Sequence, residues 1–174
     1  PGRCGLAGLG LGSAVPLAGR LLGSFLHLSP EYTFVLEDEG GPCGYAAGAL
    51  CAEGFLRERA SSWLPAMRHK YPRELGEALL FFHAEPPAVP PPVLRRFPSL
   101  VQLGTAPRVL DVGASRSLAV CLLSALRANG SRGVFCQVSA ADQQQLSFYS
   151  KLGFVALPVP WPSSPDARLL GRLL

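Results

Sequence analysis

The sequence predicts an α/β (α+β) domain, and three stretches carry that prediction. Gly133 to Val138 reads as a buried strand. Asp142 to Phe154 (Asp-Gln-Gln-Gln-Leu-Ser-Phe-Tyr-Ser-Lys-Leu-Gly-Phe) continues it as a short capped helix, a glycine stop at Gly153 and a new strand. Asp111 to Ala128 is strongly helical, and Tyr32 to Leu50 has the pattern of a hairpin. A chain of 174 residues fits one domain, and 48% apolar against 16% charged residues excludes a disordered one.

The chain opens on Pro1, which points to a piece of a longer polypeptide, and residues 1–14 read as a Gly-rich tail ahead of a domain over 15–174. The opening has neither the compact apolar run of a signal peptide nor the roughly 20 apolar residues of a membrane span. Leu17, Leu21, Leu22, Phe25 and Leu28 fall at helical spacing, and Ser29-Pro30 ends that helix. Tyr32 to Leu36 alternates as a strand. Glu37 to Pro42 supplies turn chemistry, and Cys43 to Leu50 returns as a second strand in which Gly44 and Gly48 allow close packing. The acidic triplet Glu37-Asp38-Glu39 is read as solvated turn charge.

Gly54 to Tyr71 holds Trp63, Leu64 and Met67 but carries Pro65 in its middle, which predicts one short helix or two broken ones. Glu74 to Phe82 reads as another helix, with Leu75, Leu79 and Phe82 on one face. The Pro-rich run Glu85 to Pro92 predicts an irregular, rigid connector with local polyproline II character. Leu100 to Leu103 is a candidate strand. The helix from Asp111 carries Leu118, Leu122, Ala125 and Leu126 on one side, with Ala119, Cys121 and Leu123 widening the apolar face, and Asn129-Gly130 stops it. A helix this apolar is buried against a sheet.

Charge and cysteine usage narrow the function classes. Net charge is +4, yet the 16 Lys and Arg are scattered without an aromatic-interleaved stripe, so no nucleic acid is expected as a partner. Cys4, Cys43, Cys51, Cys121 and Cys136 are odd in number and read as small hydrophobes of a reducing compartment. They have no zinc-site spacing, and His27, His69 and His83 do not cluster with them, so no metal is expected.

Several runs, in order along the chain, carry a family resemblance: Ser29-Pro30-Glu31-Tyr32, Phe34 to Glu39, Cys43-Gly44-Tyr45-Ala46, Phe97-Pro98-Ser99-Leu100, Cys121-Leu122-Leu123-Ser124, Ala128 to Gly133, and Phe148 to Gly153. From about Leu17 to the C-terminus the chain resembles the C-terminal acetyltransferase-like (pseudo-acetyltransferase) domain of O-GlcNAcase. The resemblance implies a GNAT-like acyl-CoA N-acyltransferase fold: a mixed, mostly antiparallel central sheet, splayed at its centre and flanked by helices. It also implies a cytoplasmic and nuclear parent whose glycosidase aspartates lie in a separate domain. No Asp-Asp pair occurs here, and no glycosidase residue is carried over.

Acetyl transfer from acetyl-CoA needs the pyrophosphate held on backbone N–H groups at a helix start, a base for the amine and an acid for the thiolate. Active GNAT proteins meet the first need with a Gln/Arg-x-x-Gly-x-Gly/Ala loop. Aligned on Leu122-Leu123, its positions fall on Ala114, Ser117 and Ala119, and only Ala119 matches. Ser117 stands where glycine would let backbone approach phosphate. Asp111 is a strong N-cap candidate, and a helix begun there takes up the amides and sets a carboxylate where phosphate charge belongs. The alternative is that Gly113 to Arg116 form the loop, with Arg116 meeting phosphate.

The candidate central strand, Val101-Gln102-Leu103, offers no carboxylate as base, and nothing in the sequence places Glu31 or Glu37 for that role. Tyr149 matches the position of a proton donor to the CoA thiolate, yet between Phe148 and Leu152 it is equally natural as a half-buried packing residue. Asp142, or Ser139 with it, caps its helix. The expectation is therefore a non-catalytic GNAT-like domain that binds other domains or protein partners. One alternative is an active acetyl-CoA-dependent N-acetyltransferase, with Arg116, Ser117 and Ala119 near the cofactor and Tyr149 as acid. The other is a peptide-binding module that uses the splayed sheet.

Overall fold

The computed structural model describes residues 17–72, 82–84, 88–107, 109, 111–159 and 166–174, with 17–21 by backbone only. The Gly-rich tail and nearly all of the Glu74–Phe82 helix lie outside the described residues. Helix α1 (Leu17–Leu28) ends as its sequence predicts, and a 3₁₀ turn over Pro30–Tyr32 leads into the first strand. The hairpin is tighter than predicted. Its strands are β1 (Thr33–Asp38) and β2 (Gly41–Ala49), so Glu37 and Asp38 belong to the strand, not the turn. The cause is local: Asp38 Oδ1 accepts the Gly40 N–H at 2.8 Å and closes the turn, while a register shift at Leu36/Glu37 absorbs the mismatch.

Pro65 does not break its segment. Helix α2 (Ala52–Glu58) passes through one π turn (Arg59–Trp63) into α3 (Leu64–Lys70). The Leu64 N–H reaches back five residues to the Arg59 carbonyl, a wider turn that accommodates a residue unable to donate. A second correction concerns the proline run. Residues 88–90 are irregular, but Pro91 and Pro92 open helix α4 (Pro91–Arg96), because the first helical positions need no N–H and suit proline's fixed φ.

The remaining elements are β3 (Ser99–Thr105), α5 (Val112–Ala128), β4 (Gly133–Ser139), α6 (Gln143–Lys151), β5 (Val155–Ala156) and β6 (Ala167–Leu173). Both long-recognised helices are capped as the sequence indicates. Asp111 accepts from Gly113 N, Asp142 accepts from Gln145 N, and α5 and α6 are followed by Gly130 and Gly153 at φ 93° and 83°. The six strands form one sheet in the order β1-β2-β3-β4-β6-β5, antiparallel except for β3 against β4. That parallel pair is joined only at Ser99↔Val134 and Leu100↔Phe135; beyond this root the strands part, so the sheet is splayed at its centre.

Strand alternation sends β3 and β4 residues to two separate cores. Val101, Leu103, Val134, Cys136 and Val138 pack with α5 and with Tyr149 of α6. Leu100 and Phe135 face the other way, with Phe25 of α1 and Phe55 of α2 stacked at 4.6 Å between centroids. Gly48 of β2 lets α5 approach closely: a Cβ there would lie 2.9 Å from a Leu122 methyl. At the root of the splay the fully buried Ser99 places its hydroxyl 2.7 Å from both the Leu50 carbonyl and Ser131 Oγ. Among the described residues no helix is long and apolar enough to cross a membrane.

Candidate functional site

The wedge between β3 and β4 is the feature that could admit a ligand, because strand edges there have lost their partner. Tyr149 enters it from α6 and is completely buried. Its hydroxyl accepts the Leu103 N–H at 2.8 Å and lies 3.4 Å from the Leu103 carbonyl, to which it donates. The phenol thus satisfies both backbone groups that β4 would have paired had the strands stayed together. Sequence pattern suggests a half-buried packing residue; the structure makes it a fully buried, hydrogen-bonded plug held between Phe148 and Phe154, with ring centroids at 5.5 and 5.1 Å.

The plug is also a poor acid. Burial, and then the adjacent Cys136 sulfur, push the Tyr149 phenol well above its ordinary value, while the Leu103 backbone bond acts in the opposite direction. Burial likewise raises the Cys136 thiol. A general acid works best when its pKa is near the working pH, and this environment moves Tyr149 away from it.

At the start of α5 a carboxylate stands where a phosphate would lie. Asp111 Oδ1 takes the Gly113 N–H at 2.8 Å, and the helix already includes Val112. Gly113 to Arg116 are helical and form no loop, so the alternative arrangement with Arg116 at its tip is absent. Arg116 and Ser117 are exposed on the second turn, their amides directed at carbonyls four residues back. Ala119 is 1% exposed and packs in the core with Leu122. Among the described residues, those at the α5 start suit the pyrophosphate of a CoA ligand poorly: Asp111 brings a carboxylate there, and Ser117 stands in place of glycine.

No carboxylate stands in the wedge among the residues considered as base. Glu31 and Glu37 are both exposed on the hairpin side of the sheet. The polar residue at the centre is Gln102, 1% exposed, with neither amide atom hydrogen-bonded. It lies on the α1 face near Tyr45. Burial raises the Tyr45 phenol strongly and the nearby Gln102 amide offsets part of that shift, but the contact falls short of hydrogen-bond geometry.

Gln102 is visible in the sequence as the lone polar residue within Leu100 to Leu103, although its orphaned amide is not. Arg59, 7% exposed inside the π turn, has no local signal at all. Among the described residues no three His, Cys, Asp or Glu side chains gather as a metal site would need. None of Cys43, Cys51, Cys121 and Cys136 forms a disulfide; Cys43 and Cys136 are buried, whereas Cys51 and Cys121 are exposed and so are not core residues.

No family model matches the chain. It is 42% identical over 163 residues to protein O-GlcNAcase from Rattus norvegicus, an alignment covering 89% of this chain and 18% of that protein. The chain thus spans less than a fifth of the curated relative's length. Among solved structures, SsHAT is similar at a TM-score of 0.70 and 25% identity, over 87% of this chain and 77% of that one. An apo agmatine N-acetyltransferase shares the fold at a TM-score of 0.52 and 16% identity, over 91% and 83% of the two chains.

Proposed function

We propose that this chain, a GNAT-fold acetyltransferase-like domain homologous to the C-terminal part of protein O-GlcNAcase, is a non-catalytic interaction or stabilising module. The observation that carries the proposal is the Asp111 cap on α5. A carboxylate at a helix start repels the anion that the same helix start would otherwise attract. The plugged wedge and the absence of a base on β3 support the same reading. On this reading, hydrolysis of O-linked N-acetylglucosamine, with its paired aspartates, belongs to a part of the parent outside this chain, and the proposed location is the cytoplasm and nucleus.

The test is a calorimetric titration with acetyl-CoA of the wild type and an Asp111→Asn variant. No binding by the wild type, with weak binding gained by the variant, is the expected result. Micromolar binding by the wild type would overturn the proposal and direct attention to Tyr149→Phe kinetics.

A second reading, a peptide-binding module, is favoured by Gln102. A carboxamide offers one acceptor and a donor pair, the complement of a peptide bond, and this one is unused within the chain. Peptide capture that is independent of acetyl-CoA and lost in Gln102→Leu would support it.

A further inference from the structure

Arg59 is a buried cation with no anionic partner among the described residues. It is 7% exposed, and its Nε has no hydrogen-bond partner. The ion pair found among the described residues, Arg57 with Glu53 at 3.3 Å, lies on the exposed side of α2 and does not include it. Burial lowers the Arg59 guanidinium to about 10. Its recorded contact is the Trp63 ring, whose centroid lies 5.7 Å from the guanidinium carbon. That ring is itself held against α1, where a Cβ on Gly23 would come within 3.3 Å of it.

A guanidinium largely withdrawn from water without a counter-charge is unfavourable, and an apolar side chain of similar volume would serve packing better. The π turn that places it there is a further cost, since regular helical bonds are given up over Arg59–Trp63. With an aromatic face beside the guanidinium and Nε enclosed, the Nη N–H groups remain to recognise an oxyanion. The charge count selects the class of anion. One guanidinium beside an indole neutralises one negative charge, which suits a carboxylate; a phosphate dianion would remain under-compensated there.

We infer that Arg59, backed by Trp63, is a carboxylate-binding residue that anchors an acidic side chain of a partner polypeptide. This deepens the interaction-module reading and rests on it by naming the chemistry of the partner. It makes no use of the α5 start, so the acetyl-CoA titration and the experiment below fail independently.

The experiment follows the Arg59 Nε–H resonance and Trp63 fluorescence of the full 174-residue chain. The probes are the blocked peptide acetyl-Leu-Glu-Leu-amide, its Gln counterpart and sodium phosphate, all at matched ionic strength. A saturable shift with the Glu peptide, absent with the Gln peptide and weaker with phosphate, is expected. Arg59→Met should abolish the fluorescence response, and Arg59→Lys, which keeps the charge but loses the planar fork, should weaken it about tenfold. The inference is overturned by equal responses to the Glu and Gln peptides, by no response to either, or by a response that survives in Arg59→Met. A stronger response to phosphate overturns the assignment to carboxylate. If Arg59→Met fails to fold, the Nε–H titration of the wild type decides alone.

Discussion

Tyr149 and Leu103 are joined across the opening between β3 and β4, the phenol oxygen 2.8 Å from the backbone nitrogen it accepts from. A side chain from α6 thus does for β3 what a neighbouring strand would have done. Removing the hydroxyl leaves a buried N–H and C=O without partners while the ring still fills its space. Tyr149→Phe should therefore cost about 1–3 kcal/mol. Urea unfolding with an unchanged m-value is the measurement. Stability equal to wild type would show that the wedge tolerates an open strand edge.

Alkaline pH should destabilise the chain. Cys136, Tyr45 and Tyr149 all have folded-state values raised from 9.0, 10.0 and 10.0. Above those ordinary values the unfolded state releases protons that the native state keeps, so stability is full below about pH 9 and falls as pH rises. Arg59 acts in the opposite sense: lowered to about 10, it contributes a rise in stability as pH climbs above about 10. Three groups oppose one, and the net change is a decline. Chemical denaturation from pH 8 to 11 should show a slope that flattens in Tyr149→Phe and in Cys136→Ala; a wild type with level stability across that range would contradict the assignment.

Gln102→Leu should stabilise the chain by about 1 kcal/mol or more, because it removes an unsatisfied buried amide while conserving volume. The thermal midpoint should rise. A fall would mean that the amide has a partner within the free chain, which would also remove the ground of the peptide-binding reading.

Two glycines should resist even a methyl group. Gly48→Ala would set a carbon 2.9 Å from a Leu122 methyl, and Gly171→Ala would meet the Phe97 ring at 2.8 Å. Each should cost about 1–3 kcal/mol in denaturant unfolding, and the two should be additive, since they lie on opposite faces of the sheet.

What the sequence discloses of this fold is what it encodes locally. The caps at Asp111 and Asp142, the stops at Gly130 and Gly153, and the apolar face of α5 lie within a few residues of the structure they specify. Strand β6 is different. Arg168, Gly171 and Arg172 blur its alternation, and it is formed by pairing with all seven residues of β4, far back in the chain. Pro65 and Pro91 mislead for a related reason: a wider turn in one case and a first-turn position in the other remove the usual penalty.

The site divides in the same way. The altered α5 start is readable from Asp111 and Ser117. The sealing of the wedge by Tyr149 is not, because it depends on β4 diverging from β3. Gln102 and Arg59 have polarity that any reader of the sequence sees, but their isolation from partners is a property of the packed molecule.

The two-pair seam between β3 and β4 bears on how the chain assembles. Each half-sheet, β1-β2-β3 and β4-β6-β5, is built from strands contiguous in sequence, and the backbone asks for only Ser99↔Val134 and Leu100↔Phe135 to unite them. The β2–β3 ladder, from Ala49↔Leu100 to Gly44↔Thr105, joins residues further apart in sequence than Ser99↔Val134, so the seam adds little to the loop entropy that the half-sheets already require. A chain severed after Ala106, between β3 and α5, would yield fragments of residues 1–106 and 107–174, each with its own three strands. Their reassociation on mixing would be directed by α5 burying its apolar face on β1 and β2, a split-protein design already latent in the topology.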